Sequence, residues 1–226
     1  VAVLIPSIDL MGGKIVQLVQ GEKKALEFDD FEYWIERFSA YPLVQLIDLD
    51  AAMGNAENSR VIEMISKRLP CQVGGGIRTI ERARELLELG ARRVILGSAL
   101  LKNNAINTAL AAEAAMTLGA EHLTLAIDSR QGKVAIKGWK EATSITPAEM
   151  IRTLDDYCSA FLYTHIDTEG TMTGFPLPAA RELAQLTKKK LIVAGGIRSQ
   201  AEVDELDAIG IDAVVGMAIY TGTIGS

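Results

Sequence analysis

The chain repeats itself at an interval of about 120 residues, a step long enough to duplicate half of a domain and too long for a stacked solenoid. VGGGIR at 73–78 returns as VAGGIR at 193–198, and VILGSA at 94–99 returns as AVVGMA at 213–218. Carboxylates keep the same step: Asp9 in PSIDL answers to Asp128 in LAIDS, and Asp48 in LIDLD to Asp167 in THIDT. With 226 residues, the length suits a single α/β domain made of two similar halves, near residues 1–120 and 121–226.

Short apolar runs punctuate segments of helical period: VAVLI at 1–5, LVQLI at 43–47, CQV at 71–73, RVIL at 93–96, LTLAI at 123–127, AFLYT at 160–164, LIVA at 191–194 and AVV at 213–215. They lack polar alternation, which marks parallel strands covered on both faces, and the segments between them have the length of crossover helices. Thr146, Pro147 and Glu149 form a helix start with a capping box, and Ser199 with Glu202 repeats the box. Ile80, Ala83, Leu86 and Leu87 make one apolar helix stripe.

Local pattern alone allows either a closed barrel or an open sheet. The duplication favours closure, and no GxGxxG follows the first strand to suggest a dinucleotide fold. The expected class is α/β, a (β/α)8 TIM barrel with half-barrel internal duplication. MAIYTGTIGS at 217–226 is too short for a full outer helix, so the last helix should be short or absent, with the flank between the last and first strands thinly covered.

A net charge of −6 offers no attraction to nucleic acid or an anionic membrane; the one basic run, KKK at 188–190, reads as a solvated helix end. Cys71 and Cys158 show no CxxC spacing, which argues against a disulfide framework or zinc site and fits a reducing cytoplasm. No export signal or membrane-crossing run is legible. A monomer is the simplest expectation.

In such a barrel, residues just after each strand line one mouth. Asp9 and Asp128, after strands one and five, should face each other there and suit paired acid and base work. Gly74, Gly75, Gly76 and Gly97 can expose backbone N–H groups to an anion, and Gly195, Gly196 and Gly216 repeat the device, so two phosphate cradles are expected. The duller alternatives are tight turning for a glycine pair and helix capping or arginine pairing for an aspartate. The latter is favoured for Asp48 and Asp50, with Arg78 and Arg198 as candidate partners. His165 sits at the mouth, where a hydrogen-bonding and a structural role are equally open, and His122 receives no role. No metal is expected.

PSIDLMGGKIVQLVQGE at 6–22, LIDLDAA at 46–52, QVGGGIRT at 72–79, AIDSRQGKVAIKGW at 126–139 and VAGGIRS at 193–199 together resemble the histidine-biosynthesis isomerases that act on phosphoribosylformimino-aminoimidazole-carboxamide ribotide. The resemblance spans nearly the whole chain. It implies a cofactor-free Amadori rearrangement of a ribonucleotide-like substrate with a phosphate at each end. Asp128 would be the acid at the ring oxygen, Asp9 the base at the neighbouring carbon, and Thr164 a catalytic hydroxyl. Trp139 would stack on the imidazole, while Ser98 and Gly170 complete the substrate-binding set with Gly75, Gly76, Gly97, Gly195, Gly196 and Gly216. Ser7 stands where alanine is usual, Met217 replaces a common arginine, and THIDTEGT departs from a pattern ending in DGT. Open alternatives are a dual-substrate isomerase that also takes phosphoribosylanthranilate, the sister ammonia-using cyclase, and a catalytically silent scaffold. KGW and IDL favour the isomerase over the cyclase.

Overall fold

The computed structural model describes residues 2–225. Its parallel strands are β1 (Leu4–Met11), β2 (Val44–Asp48), β3 (Cys71–Gly74), β4 (Arg93–Leu96), β5 (Leu123–Arg130), β6 (Ala160–His165), β7 (Lys190–Ala194) and β8 (Asp212–Val215). Each pairs with its sequence neighbour, and Leu4 opposite Ala213 joins β8 to β1, closing the barrel. Every strand expected from an apolar run is present.

The intervening helices are α1 (Phe31–Phe38), α2 (Ser59–Ser66), α3 (Ile80–Glu88), α4 (Thr108–Leu118), α5 (Pro147–Leu154), α6 (Leu177–Ala184), α7 (Gln200–Asp207) and α8 (Met217–Tyr220). Helix α3 buries Ile80, Ala83 and Leu86, with Leu87 partly buried at the edge of the stripe. The Thr146–Glu149 capping box is complete. At α7 only half of the expected box forms: Ser199 accepts from the Glu202 N–H, but the Glu202 carboxylate takes Arg198 N and Nε instead. A guanidinium is the stronger donor. Lys188 and Lys189 lie beyond the end of α6 and Lys190 opens β7, ion-paired to Asp212 at 2.9 Å, so KKK is a helix-to-strand connection and not a helix end.

Two cores hold the barrel. One lies between strands and helices, and includes Phe38, Ile62, Leu86, Leu123 and Phe161. The other fills the barrel itself with Ile5, Leu43, Ile95, Ala160, Leu162, Ile192, Ala194 and Val214. Near the N-terminal ends of the strands, Gln72 donates to Gln45 at 2.9 Å and accepts from Arg93 at 3.1 Å, so the buried polar groups there satisfy one another. The site is thus confined to the opposite end. Cys71 and Cys158 are free and buried, and burial pushes both thiols up to about 12. Among the described residues, no helix is long and apolar enough to cross a membrane.

Helix α8 is short, as expected, but the flank it leaves is well covered. The Tyr220 ring lies 4.4 Å from Trp34, 5.4 Å from Phe28 and 6.0 Å from Phe38, centroid to centroid. The sequence reading also passed over two hairpins. Lys14–Val19 folds back on β1 and pairs in turn with Lys23–Phe28, while Lys133–Ile136 folds back on β5. Their two-residue turns place both central residues in the left-handed region: Gly12 and Gly13 at φ 60° and 72°, Gln131 and Gly132 at 50° and 76°. That is the conformation tight hairpins require.

Candidate active site

Strands β1 and β5 stand opposite each other in the ring, which brings Asp9 and Asp128 to facing sides of the mouth. Ser7 Oγ donates to Asp9 Oδ1 at 2.9 Å. Burial pushes the Asp9 carboxyl up to about 6, and the Ser7 donor opposes that rise. Asp128 Oδ2 accepts from Trp139 Nε1 at 2.7 Å. Thr164, buried and register-paired with Asp128 on neighbouring β6, supplies a second donor; burial raises the Asp128 pKa against both.

A third carboxyl completes the basin. Glu169, half-buried in the loop after β6, is pushed up to about 8, first by burial and then by the charges of Asp9 and Asp128. Its placement in the field of both aspartates brings the three carboxyls to one site. Sequence reasoning chose Gly170 and missed Glu169, although the departure in THIDTEGT was the available signal.

The loops above the basin are tied together. Gln20 N donates to Glu169 O at 3.0 Å, Gln20 Nε2 to Asp167 O at 3.0 Å, and Gln131 N to Asp167 Oδ2 at 3.0 Å. Gly170 allows close approach here: an added Cβ would lie 2.3 Å from Leu18 O. After β5, Lys137, Gly138 and Trp139 are successively left-handed, at φ 56°, 63° and 69°. Such a run, ending in a bulky indole, stores strain that the surrounding contacts hold in place. Those contacts are Lys137 N donating to Ser98 Oγ at 2.9 Å, Arg130 to Trp139 O at 3.3 Å, and the indole packed beneath Gly21. In this state Trp139 crosses the mouth and Ser98 holds the loop.

The glycine cradles are matched pairs. Gly75 and Gly195 have φ of 103° and 113°, and an added Cβ would lie 2.2 Å from Asp48 O and 2.4 Å from His165 O respectively. Gly76 and Gly196 meet Ala51 O at 2.4 Å and Thr168 O at 2.6 Å in the same way. Close packing therefore demands glycine at all four, and left-handed turns of this kind are also where backbone N–H groups form anion-binding nests. Gly97 and Gly216 each cap a short helix with similar backbone angles, φ −126° and ψ −102° against φ −106° and ψ −91°, but a Cβ would find only Ala126 at 3.7 Å near the first and Gln17 Oε1 at 2.3 Å near the second.

This pairing corrects the alignment of Asp48 with Asp167. Asp48 and His165 occupy equivalent positions, each the residue before a short helix and each packed against a cradle glycine. Asp48 is buried and caps its helix through Ala51 N, while also accepting from Asn58. Asp50 accepts from Gly12 N and Asn58. The capping reading holds for Asp48 and not for Asp50, which lies inside the helix; the arginine pairing holds for neither, since these acceptors take backbone and amide donors and Arg198 binds Glu202. His165 Nδ1 lies 3.2 Å from the Tyr163 hydroxyl, and His122 sits at the far end of the barrel against Arg92 O.

Residues 3–225 match the family described as histidine biosynthesis protein. A relative from Methanocaldococcus jannaschii is 37% identical over 230 residues, covering 98% of this chain and 95% of its own. One from Methanosarcina barkeri is 40% identical over 233 residues, covering 97% and 93%. Both carry the name 1-(5-phosphoribosyl)-5-((5-phosphoribosylamino)methylideneamino)imidazole-4-carboxamide isomerase. The chain belongs to the histidine biosynthesis protein family.

Proposed function

We propose that the protein performs the Amadori rearrangement of the bis-phosphorylated aminoaldose ProFAR to the aminoketose PRFAR, with Asp128 as general acid and Asp9 as general base. An isomerase role in histidine biosynthesis follows from the family and from the relatives' shared name. The observation that supports the finer reading is that β1 and β5 carry Asp9 and Asp128 to facing sides of one mouth, each held by its own donor. Burial raises both aspartates, Asp9 to about 6, which moves them towards the range where a carboxyl can take and return a proton.

Asp128 protonates the ribose ring oxygen as its bond to the anomeric carbon breaks, leaving a Schiff base. Asp9 then takes the proton from the adjacent carbon, and the resulting enolamine tautomerises to the ketone. The paired cradles at Gly75, Gly76 and Gly97, and at Gly195, Gly196 and Gly216, hold one phosphate each and stretch the sugar between the aspartates. Moving the Trp139 indole onto the imidazole removes the donor from Asp128 and strengthens its hold on the proton it must deliver. The chemistry needs no cofactor.

Purified protein supplied with ProFAR, with phosphoribosylanthranilate, or with PRFAR plus ammonia tests the reading. Turnover of ProFAR alone is the expected result. Ammonia-dependent product, or no aminoketose from ProFAR, would overturn it.

A further inference from the structure

Strand geometry puts residues two apart on one face, so Ser7 and Asp9 both point into the barrel. Ser7 is buried, and its hydroxyl donates to Asp9 Oδ1 at 2.9 Å. The serine backbone is itself anchored: Tyr220 Oη donates to Ser7 O at 2.9 Å, and Gln17 Nε2 approaches the same oxygen at 3.5 Å. Tyr220 is held in turn by the rings of Phe28, Trp34 and Phe38. The donor beside Asp9 therefore belongs to a fixed strand braced by the terminal helix.

The other half lacks this device. Ala126 stands two residues before Asp128, where Ser7 stands before Asp9, and its methyl joins the barrel core. Asp128 draws its donors from Trp139 and Thr164 instead. The charged and titratable groups around Asp9 are Glu169 from the loop after β6, Tyr220 from α8 and Asp128 across the mouth, all acidic. Beside these acidic neighbours, a fixed neutral donor is what steadies the carboxylate.

We propose that Ser7 is a positioning residue for the general base: its hydroxyl occupies Oδ1 of Asp9 and leaves Oδ2 as the oxygen that receives the substrate proton. A serine at this position, where the opposite half carries Ala126, thus distinguishes the base from its twin acid. The kinetic side of this inference rests on the proposed isomerisation; the placement of the Asp9 charge does not.

Ser7→Ala and Ser7→Thr test it, alanine being already accommodated at position 126. In Ser7→Ala the acidic limb of kcat/KM should move up by about half to one pH unit, because a hydrogen bond to the charged form is lost. At pH 6 the rate should fall about two- to fivefold, with KM within about twofold, and at pH 8.5 it should match or exceed the parent, since the freed base is the stronger one. Ser7→Thr keeps the hydroxyl and should keep the parent profile. Carbon-13 titration of the Asp9 carboxyl in the parent and Ser7→Ala, without substrate, should show the same upward move. An unchanged Asp9 titration overturns the proposal whether or not ProFAR turns over, whereas absence of turnover with a moved titration overturns only the reaction assigned above.

Discussion

Gly75 and Gly195 occupy the same left-handed turn in the two halves, each pressed against a backbone carbonyl of the preceding loop. Ser7 and Ala126 also occupy equivalent places, two residues before their aspartates, yet one is a hydrogen-bond donor to its neighbour and the other is core filling. The backbone therefore repeats where the chain must bend tightly, and the side chains diverge around the two aspartates. On the proposed function, a symmetric substrate holder and an asymmetric reaction are compatible because they depend on different atoms.

The symmetric part of the comparison carries the largest expected effect. Gly75→Ala and Gly195→Ala should each destabilise the fold by about 3–5 kcal/mol in denaturant titration, since each combines a left-handed backbone with overlap of a carbonyl oxygen. Gly97→Ala, whose Cβ has room, should cost less than about 1 kcal/mol while raising KM. Equal costs at all three would break the distinction between packing and ligand glycines.

The asymmetric part is probed next. Asp9→Asn and Asp128→Asn should each lower kcat at least about 100-fold with stability preserved. An undiminished kcat in either removes that residue from the chemistry. Trp139→Phe keeps an aromatic face but deletes the donor to Asp128, so the basic limb of kcat/KM should rise by about half a pH unit, and a fall would contradict the assigned acid.

The smallest effect concerns Glu169. Its folded pKa of about 8 exceeds the ordinary 4.5, so the folded protein binds this proton more tightly than the unfolded chain does. The carboxyl consequently costs stability that grows as pH rises from 4.5 towards 8 and then levels off. Glu169→Gln should stabilise the protein by about 1–2 kcal/mol at pH 8 and by little at pH 4.5, read as Tm at each pH. A gain independent of pH would place Glu169 outside the shared basin.

The strands were legible because a strand buried on both faces writes an uninterrupted apolar run, and closure followed from the repeat. The hairpins after β1 and β5 were not, since GG and QG are brief turn signals beside strands that continue past their apolar runs to Met11 and Arg130. Matching letters aligned Asp48 with Asp167, whereas strand register fixes the true equivalence: Ile47 pairs with Gly74 and Thr164 with Ala194, which places Asp48 with His165. Glu169 escaped notice because its significance lies in burial and in the charges facing it, neither of which is local in sequence. Asp9 and Asp128 were visible because each lies just beyond an apolar run at the repeat interval.

The central claim is that one substrate spans both halves with its sugar between the two aspartates. A crystal structure of the protein with PRFAR bound tests it most directly. The account expects one phosphate on Gly75, Gly76 and Gly97, the other on Gly195, Gly196 and Gly216, and the former ribose carbons between Asp9 and Asp128. Both phosphates on one half, or a sugar lying away from either aspartate, would contradict it.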